Sequence, residues 1–288
     1  MGHYTRFRAY QLGQCGASFS LSVNSHFTLI EARLTKTNAP HICWEMDNCG
    51  IDHINVLHIT SWDADHCKSG ELELILEYLK PNTIEYPSYA PHTDNGKESL
   101  KLINNYNGIK IPITPQKVIF ADKTPLRGAD LYYNPVKNCD CSNDNSVVKF
   151  FRVGSFQVLS LGDCESSEIS ESLANDDILK NEVDILILAH HGADNGFTTP
   201  DFLKALSPKV AICASDYGNK YGHPDSVIIS RLQNAGIDYY STKAGDIIAQ
   251  TVDAKHFKVS NYISNNEQKA SVKTYSSKTW YKSDIEIE

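Results

Sequence analysis

Four short apolar segments of this chain each end at aspartate or histidine residues. Each apolar segment is followed by its polar residues: residues 55–60 by Asp63, Asp65 and His66, residues 156–161 by Asp163, residues 183–188 by His190 and His191, and residues 210–213 by Asp216 and His223. Short apolar runs bounded by polar clusters are typical of buried strands. Ligands in layered α/β folds bind at the carboxyl ends of strands, so we expect these side chains to converge.

The rest of the pattern predicts two β-rich halves. Strands are predicted at residues 19–23 and 27–31, joined by a polar turn, and a second strand series begins at residues 146–150. Apolar residues at helical spacing predict a helix from Leu72 to Leu79, ended by Pro81. Two β-rich halves that each carry helices predict an α/β (α+β) protein built as a four-layer αββα sandwich.

The domain boundaries follow from composition. We expect one domain over residues 1–262, in which residues 81–145 form a loop-rich insertion because they are rich in Pro, Asn, Asp and Tyr. Within this insertion we predict a short helix near residues 98–104 and a strand at residues 118–120. Residues 263–288 are polar with little apolar periodicity, and we expect a polar C-terminal tail.

Composition limits the classes of function. The chain has 288 residues, of which 41% are hydrophobic and 22% charged, enough to bury a large core. It has no signal-like N-terminus and no apolar run near the length of a membrane span, so we expect no membrane span and a cytoplasmic protein. The net charge of −8 argues against a large basic face for duplex binding. A phosphate substrate is still compatible with this charge, because bound divalent cations reverse the sign locally.

The clusters resemble the motifs of one hydrolase family. Residues 59–66, ITSWDADH, look like the H-x-H-x-D-H metal motif of metallo-β-lactamase-fold hydrolases, in the H-x-D-x-D-H variant of the soluble domain of ComEC-like DNA-uptake proteins. Five further segments agree with this family in order and approximate spacing, from about residue 10 to residue 250: residues 13–16, 145–148, 161–163, 188–192 and 221–224.

The resemblance implies a site with one or two divalent metal ions. Its metal ligands would be Asp63, Asp65, His66, Asp163 and His190, with Asp163 bridging the two ions. Asp65, His191 and His223 would be the catalytic residues: one of the paired histidines is a ligand and the other contacts substrate, while His223 completes the second metal or donates a proton. The residues themselves fit, because a dinuclear hydrolytic site needs several His and carboxylate ligands at strand ends.

Four residues, in three places, depart from the family pattern. Ser61 stands in place of the usual first histidine, Cys15 and Gly16 stand where Gly-Asp is common, and Glu31 stands near the usual strand-end aspartate. An oxygen-rich ligand set favours Mn²⁺ or Mg²⁺ more than an all-histidine pocket does, although Zn²⁺ binds most such sites more tightly.

The function implied is a metal-dependent phosphodiesterase or nuclease that acts on DNA or another nucleotide through metal-activated water. The same fold also hosts hydrolysis of small esters, lactones and cyclic nucleotides, which is the alternative within enzymes. A catalytically lapsed binding module is the alternative from another class, and Ser61 and Glu31 at motif positions suggest it.

Overall fold

The computed structural model describes residues 4–114, 130–133, 142–218 and 220–279. Its helices are α1 (Ala39–Cys49), α2 (Ser69–Leu74), α3 (Asp94–Asn105), α4 (Ser167–Ala174), α5 (Asp177–Glu182), α6 (Pro200–Leu206) and α7 (Ser226–Asn234). Its strands are β1 (Thr5–Ala9), β2 (Phe19–Val23), β3 (His26–Ile30), β4 (Val56–His58), β5 (Thr83–Pro87), β6 (Ile109–Ile113), β7 (Leu131–Tyr133), β8 (Val148–Phe151), β9 (Val158–Ser160), β10 (Ile185–Ile187), β11 (Val210–Cys213), β12 (Asp238–Ser241), β13 (Ile247–Asp253), β14 (His256–Ile263) and β15 (Gln268–Ser276).

These strands form two sheets. The large sheet has the order β15-β14-β13-β1-β2-β3-β4-β5-β6, and the small sheet has the order β12-β11-β10-β9-β8-β7. Strands β3 to β6 are parallel to one another, and so are β9 to β12. Each sheet therefore has one edge at which several carboxyl ends of parallel strands meet.

Three groups of buried side chains separate four layers. One group joins the small sheet to α4, α5, α6 and α7. A second lies between the two sheets, where Phe7 of the large sheet and Ile185 of the small sheet belong to the same cluster. A third joins the large sheet to α1, α2 and α3 and includes Leu29 and Met46. The order helix, sheet, sheet, helix is the predicted four-layer αββα sandwich.

The layering explains why the inner strands are apolar on both faces. Ile185 and Ile187 of β10 face the large sheet, while Leu186 between them faces the outer helices. Neighbouring β11 alternates in the same way. Successive side chains of a strand point to opposite faces, and both faces are covered here. The uninterrupted apolar runs therefore end only where each strand leaves the sheet.

The described parts of residues 81–145 contain more regular structure than expected. β5 and β6 extend the large sheet, α3 covers it, and β7 joins the small sheet. The helix expected near residues 98–104 is part of α3, and the helix expected from Leu72 to Leu79 is α2 continued by one wider turn over residues 75–79. The strand expected at residues 118–120 lies outside the described residues.

Residues 263–288, expected to form a polar tail, include β15. This strand lies at the edge of the large sheet, pairs with β14, and exposes every side chain except that of Tyr275. Main-chain pairing holds such a strand in place, so its sequence shows no apolar alternation. Within the described ranges, no helix has both the length and the apolar character needed to cross a membrane.

Candidate metal centre

The candidate metal centre lies where strand ends of the two sheets face each other. Asp163 follows β9, and His191 follows the neighbouring parallel strand β10. Asp65 and His66 lie in the turn after β4. The backbone N–H groups of His66 and Cys67 close this turn by donating to the carbonyl oxygen of Asp63, at 3.0 and 2.7 Å.

Four potential ligands converge there. One donor atom from each of Asp65, His66, Asp163 and His191 lies within 4.8 Å of all the others. Nε2 of His66 is 2.8 Å from Oδ1 of Asp163, and Nε2 of His191 is 3.5 Å from Oδ2 of Asp65 and 3.9 Å from Oδ1 of Asp163. Two imidazoles and two carboxylates at this spacing are a suitable donor set for one divalent transition metal ion.

The hydrogen bonding of these atoms also fits a metal ion. Nε2 of His66, Oδ1 of Asp163 and Nε2 of His191 are buried, and among the described residues they face only one another and Asp65. Buried polar atoms need a partner that satisfies them. A cation bound among the three atoms would satisfy all of them.

Glu31 holds the His66 ring in place. Nδ1 of His66 donates to Oε1 of Glu31 at 3.0 Å, and Thr60 donates to both carboxylate oxygens, from its hydroxyl at 2.5 Å and from its N–H at 3.1 Å. Glu31 is 1% exposed and has a backbone φ of 69°. A carboxylate on the far nitrogen of a ligand histidine fixes the tautomer and orients the other nitrogen toward a metal.

A main-chain carbonyl orients the second ring. Nδ1 of His191 donates to the carbonyl oxygen of Ala214 at 2.8 Å, which leaves Nε2 directed at the cluster. His190 and His191 both have left-handed backbone conformations, with φ of 44° and 53°. This conformation is unfavourable for residues with a side chain, so the surrounding contacts must hold it.

The side chains of the cluster balance one another's charges. Burial alone would lower the pKa of His66, but the charges of Asp163 and Glu31 raise it well above its usual value. Burial would raise the pKa of Asp163, but the neighbouring His66 holds it below its usual value. A metal ion would replace the imidazolium protons, because a ligand histidine must be neutral.

The other predicted site residues lie around this cluster. Oδ2 of Asp63 accepts hydrogen bonds from the hydroxyls of Ser61 and Ser142, each at 3.3 Å. Nδ1 of His190 is 2.5 Å from Oε1 of Glu165. The structure thus brings together three of the five predicted ligands, Asp65, His66 and Asp163, and adds His191, for which the sequence predicts a catalytic role. His190, the predicted ligand of the pair, lies outside this group.

His223 lies one ring beyond His190. The two ring centroids are 5.9 Å apart, and Nδ1 of His223 is 3.8 Å from Oδ2 of Asp225. Burial lowers the pKa of His223, Asp225 opposes this, and the neighbouring His190 and His191 lower it further.

The roles of two carboxylates were not predicted from the sequence. Glu31 was interpreted as a departure from the family pattern, but it ends an apolar strand, which is the same signal that identified the other site residues. Glu165, the partner of His190, stands two positions after Asp163 and offered no such signal. Only the turn after β9 places it against the paired histidines.

Two bacterial competence proteins are similar to parts of the chain, whereas no protein-family model matches it. ComE operon protein 3 of Bacillus subtilis (strain 168) is 25% identical over 191 residues, which cover 65% of this chain and 23% of that protein. Competence protein ComA of Neisseria gonorrhoeae is 38% identical over 58 residues, 20% of this chain and 8% of that protein. The matched regions thus span less than a quarter of either relative.

Solved structures agree on the architecture. Tm1679, a metal-dependent hydrolase of the β-lactamase superfamily, superposes with a TM-score of 0.54 and 13% identity, over 86% of this chain and 100% of that one. YhfI of Bacillus subtilis, a metallo-β-lactamase fold protein, gives a TM-score of 0.51 and 11% identity, over 85% of this chain and 100% of that one. The chain has the metallo-β-lactamase fold.

The metallo-β-lactamase fold accounts for the position of the cluster. Its two facing sheets bring the turn after β4 of the large sheet against the turns after β9 and β10 of the small sheet. The fold alone does not determine the reaction, because one fold carries many activities. The reaction has to be inferred from the residues of the site.

Proposed function

We propose that the chain is a metal-dependent phosphodiesterase, a nuclease that acts on DNA or another nucleotide substrate. The observation that carries the proposal is the cluster of Asp65, His66, Asp163 and His191, in which three buried donor atoms have no hydrogen-bond partner outside the cluster among the described residues. The similarity to two competence proteins over part of the chain supports a nucleic-acid substrate.

The ligands differ in exposure, which indicates the side from which the site is open to solvent. The side chain of Asp65 is 40% exposed, whereas those of His66 and Asp163 are 3% and 4% exposed. Substrate and water therefore reach the cluster from the side of Asp65. A divalent ion held there would lower the pKa of water and stabilise negative charge on a phosphoryl group.

Groups of the protein would orient the metal ligands and donate a proton. Glu31 keeps Nε2 of His66 free for a metal, and the Ala214 carbonyl does the same for His191. We assign proton donation to the leaving oxygen to His223, because its ring lies beside the cluster, 5.9 Å from the ring of His190. Cytoplasmic localisation stays a prediction from the sequence.

Two substitutions test the proposal. Asp65→Ala and His66→Ala should reduce cleavage of a DNA oligonucleotide with Mn²⁺ by at least about 100-fold, because each removes a ligand of the ion. Circular dichroism should show intact folding, since both residues lie on a turn between elements. Cleavage near the wild-type rate in both variants would exclude this cluster as the active site.

Ser61→Ala is the matched control. Ser61 lies in the same turn and is fully buried, but its hydroxyl contacts Asp63 and Tyr89 instead of the cluster. Its removal should keep activity within about tenfold of wild type, which corresponds to about 1.4 kcal/mol of barrier.

Metal content separates the enzyme from a catalytically lapsed module. A purified protein that retains well under one equivalent of transition metal, and that cleaves nothing after metal is added, would support the lapsed module and reject the phosphodiesterase.

A further inference from the structure

Two tyrosines project into solvent from the loop that carries His223. This loop runs between β11 and α7, and its Tyr217 and Tyr221 are 78% and 66% exposed. Exposed aromatic rings offer apolar surface on which a ligand can stack. The Tyr221 ring also contacts the ring of His223, so it lies beside the candidate site.

A row of rings connects Tyr221 to the metal centre. The centroids of His191 and His190 are 6.4 Å apart, those of His190 and His223 are 5.9 Å apart, and those of His223 and Tyr221 are 5.7 Å apart. The last two rings are nearly parallel, with an angle of 15° between them. The other two pairs meet edge to face, at 68° and 62°. Tyr221 is therefore the outer member of a row of rings that starts at a candidate ligand.

The loop is fixed to the turn that carries the paired histidines. The backbone N–H of Asp225 donates to the carbonyl oxygen of Gly192 at 3.0 Å, and Oδ2 of Asp225 accepts from the N–H of Asp194 at 2.6 Å. A side chain on Gly192 would meet Pro224 at 2.7 Å, so the two segments are in close contact. These contacts fix the end of the loop that follows His223 against the turn of the paired histidines.

We propose that Tyr221, with Tyr217, forms a stacking surface for an unpaired base of a nucleic-acid strand whose phosphodiester lies at the metal centre. The inference rests on the proposed function and adds its preference for single-stranded substrate. Stacking on tyrosine needs an accessible base face, and bases in a duplex are already covered by their neighbours. Nζ of Lys220 lies 4.8 Å from the centroid of the Tyr221 ring, where it can contact the adjacent phosphate.

The charge of the protein favours this mode of recognition. With a net charge of −8, the chain has no excess of positive charge to attract a duplex backbone over a large area. Stacking tolerates any base sequence, and it contributes substantially for each base. An acidic protein can therefore hold a single strand through a few aromatic rings and a metal centre.

The test measures binding apart from cleavage. The probe is a fluorescein-labelled oligothymidylate with phosphorothioate linkages, which resist hydrolysis, and its anisotropy is followed in Mn²⁺ at low ionic strength. Tyr221→Ala should weaken binding about tenfold, and Tyr217→Ala should weaken it in the same direction. Tyr221→Phe should bind within about twofold of wild type, because it keeps the ring and removes only the hydroxyl.

Tyr78→Ala is the matched control. Tyr78 is 63% exposed on the helical turn of residues 75–79, away from the strand ends that form the site. Its removal should leave binding unchanged. A duplex of the same length should bind wild type more weakly than the single strand does, and its affinity should not depend on Tyr221.

Unchanged single-strand binding by Tyr221→Ala, or equal loss in Tyr221→Phe, would overturn the stacking surface. Either result would direct attention to a protein partner for this loop. Cleavage of an ordinary oligonucleotide by wild type is scored separately. Binding that depends on Tyr221 without cleavage would reject the phosphodiesterase and keep the stacking surface, whereas cleavage with binding independent of Tyr221 would do the reverse.

Discussion

The paired histidines show what residue spacing can and cannot predict. The sequence indicates that one of them is a ligand, and it correctly places both at the end of a strand. It does not say which ring faces the cluster. That depends on two successive left-handed backbone conformations, with φ of 44° and 53°, and on the acceptor that each Nδ1 finds. The Ala214 carbonyl comes from a neighbouring strand end, and no local pattern encodes it.

A comparison of the two alanine variants tests the assignment of ligands. His191→Ala should weaken Zn²⁺ binding by at least about tenfold, because it removes a donor that lies with Asp65, His66 and Asp163. His190→Ala should keep the affinity for the first ion within about threefold, since its ring pairs with Glu165. Titration of chelator-stripped protein against a metal-competing dye gives both values. The opposite order would restore His190 as the ligand.

At the scale of elements, main-chain pairing was the hardest feature to predict. β15 is polar on both faces because its edge position buries almost none of its side chains. The residues after it are also tied to the small sheet: the N–H of Lys278 donates to Oδ1 of Asp184 at 2.8 Å, and the hydroxyl of Ser277 donates to the carbonyl oxygen of Ser155 at 2.5 Å. Apolar periodicity detects buried faces, so it cannot detect such a segment.

The burial of Asp184 leads to a prediction about how the stability of the protein depends on pH. Asp184 is fully buried, and burial raises the pKa of its carboxyl from 3.8 to about 7, against the lowering effect of the N–H groups of Lys278 and Gln157. Because the folded-state pKa of Asp184 lies above its unfolded value, the contribution of this residue to the free energy of unfolding is greatest at low pH. That contribution is lost as the pH rises from about 4 through about 7. Asp184→Asn has no such titration.

The free energy of unfolding of wild type should therefore fall relative to that of Asp184→Asn by about 2–3 kcal/mol between about pH 5 and pH 7.5. Urea unfolding at the two pH values measures this difference. The difference between the two pH values does not include any change in stability that the amide causes equally at both. Such a change is expected, because the amide can accept only one of the two N–H bonds. Parallel pH profiles for the two proteins would show that Asp184 does not titrate in this range.

At the scale of the whole molecule, the four layers were predictable because each interface leaves a pattern in the sequence. Strands between two covered faces are uniformly apolar, and strand-end clusters mark one edge of the sandwich. The composition of residues 81–145 concealed β5 and β6, because Pro, Asn and Asp are common in loops and are depleted in strands. The pairing of strands far apart in the chain, such as β1 with β13, is set by the packing of the two sheets.

The charge of the whole molecule and the ligand set together lead to a prediction about the metal. The cluster offers two carboxylates and two imidazoles, an even balance between oxygen and nitrogen donors. Zn²⁺ binds such donors more tightly than Mn²⁺, but oxygen donors suit Mn²⁺ and leave its coordination more adaptable. In a chain with a net charge of −8, an anionic substrate also depends on the ion for attraction to the site. Mn²⁺ should therefore give the fastest turnover, and excess Zn²⁺ should inhibit. A metal titration of chelator-stripped protein on a DNA substrate measures both effects, and maximal activity with Zn²⁺ alone, unimproved by Mn²⁺, would contradict them.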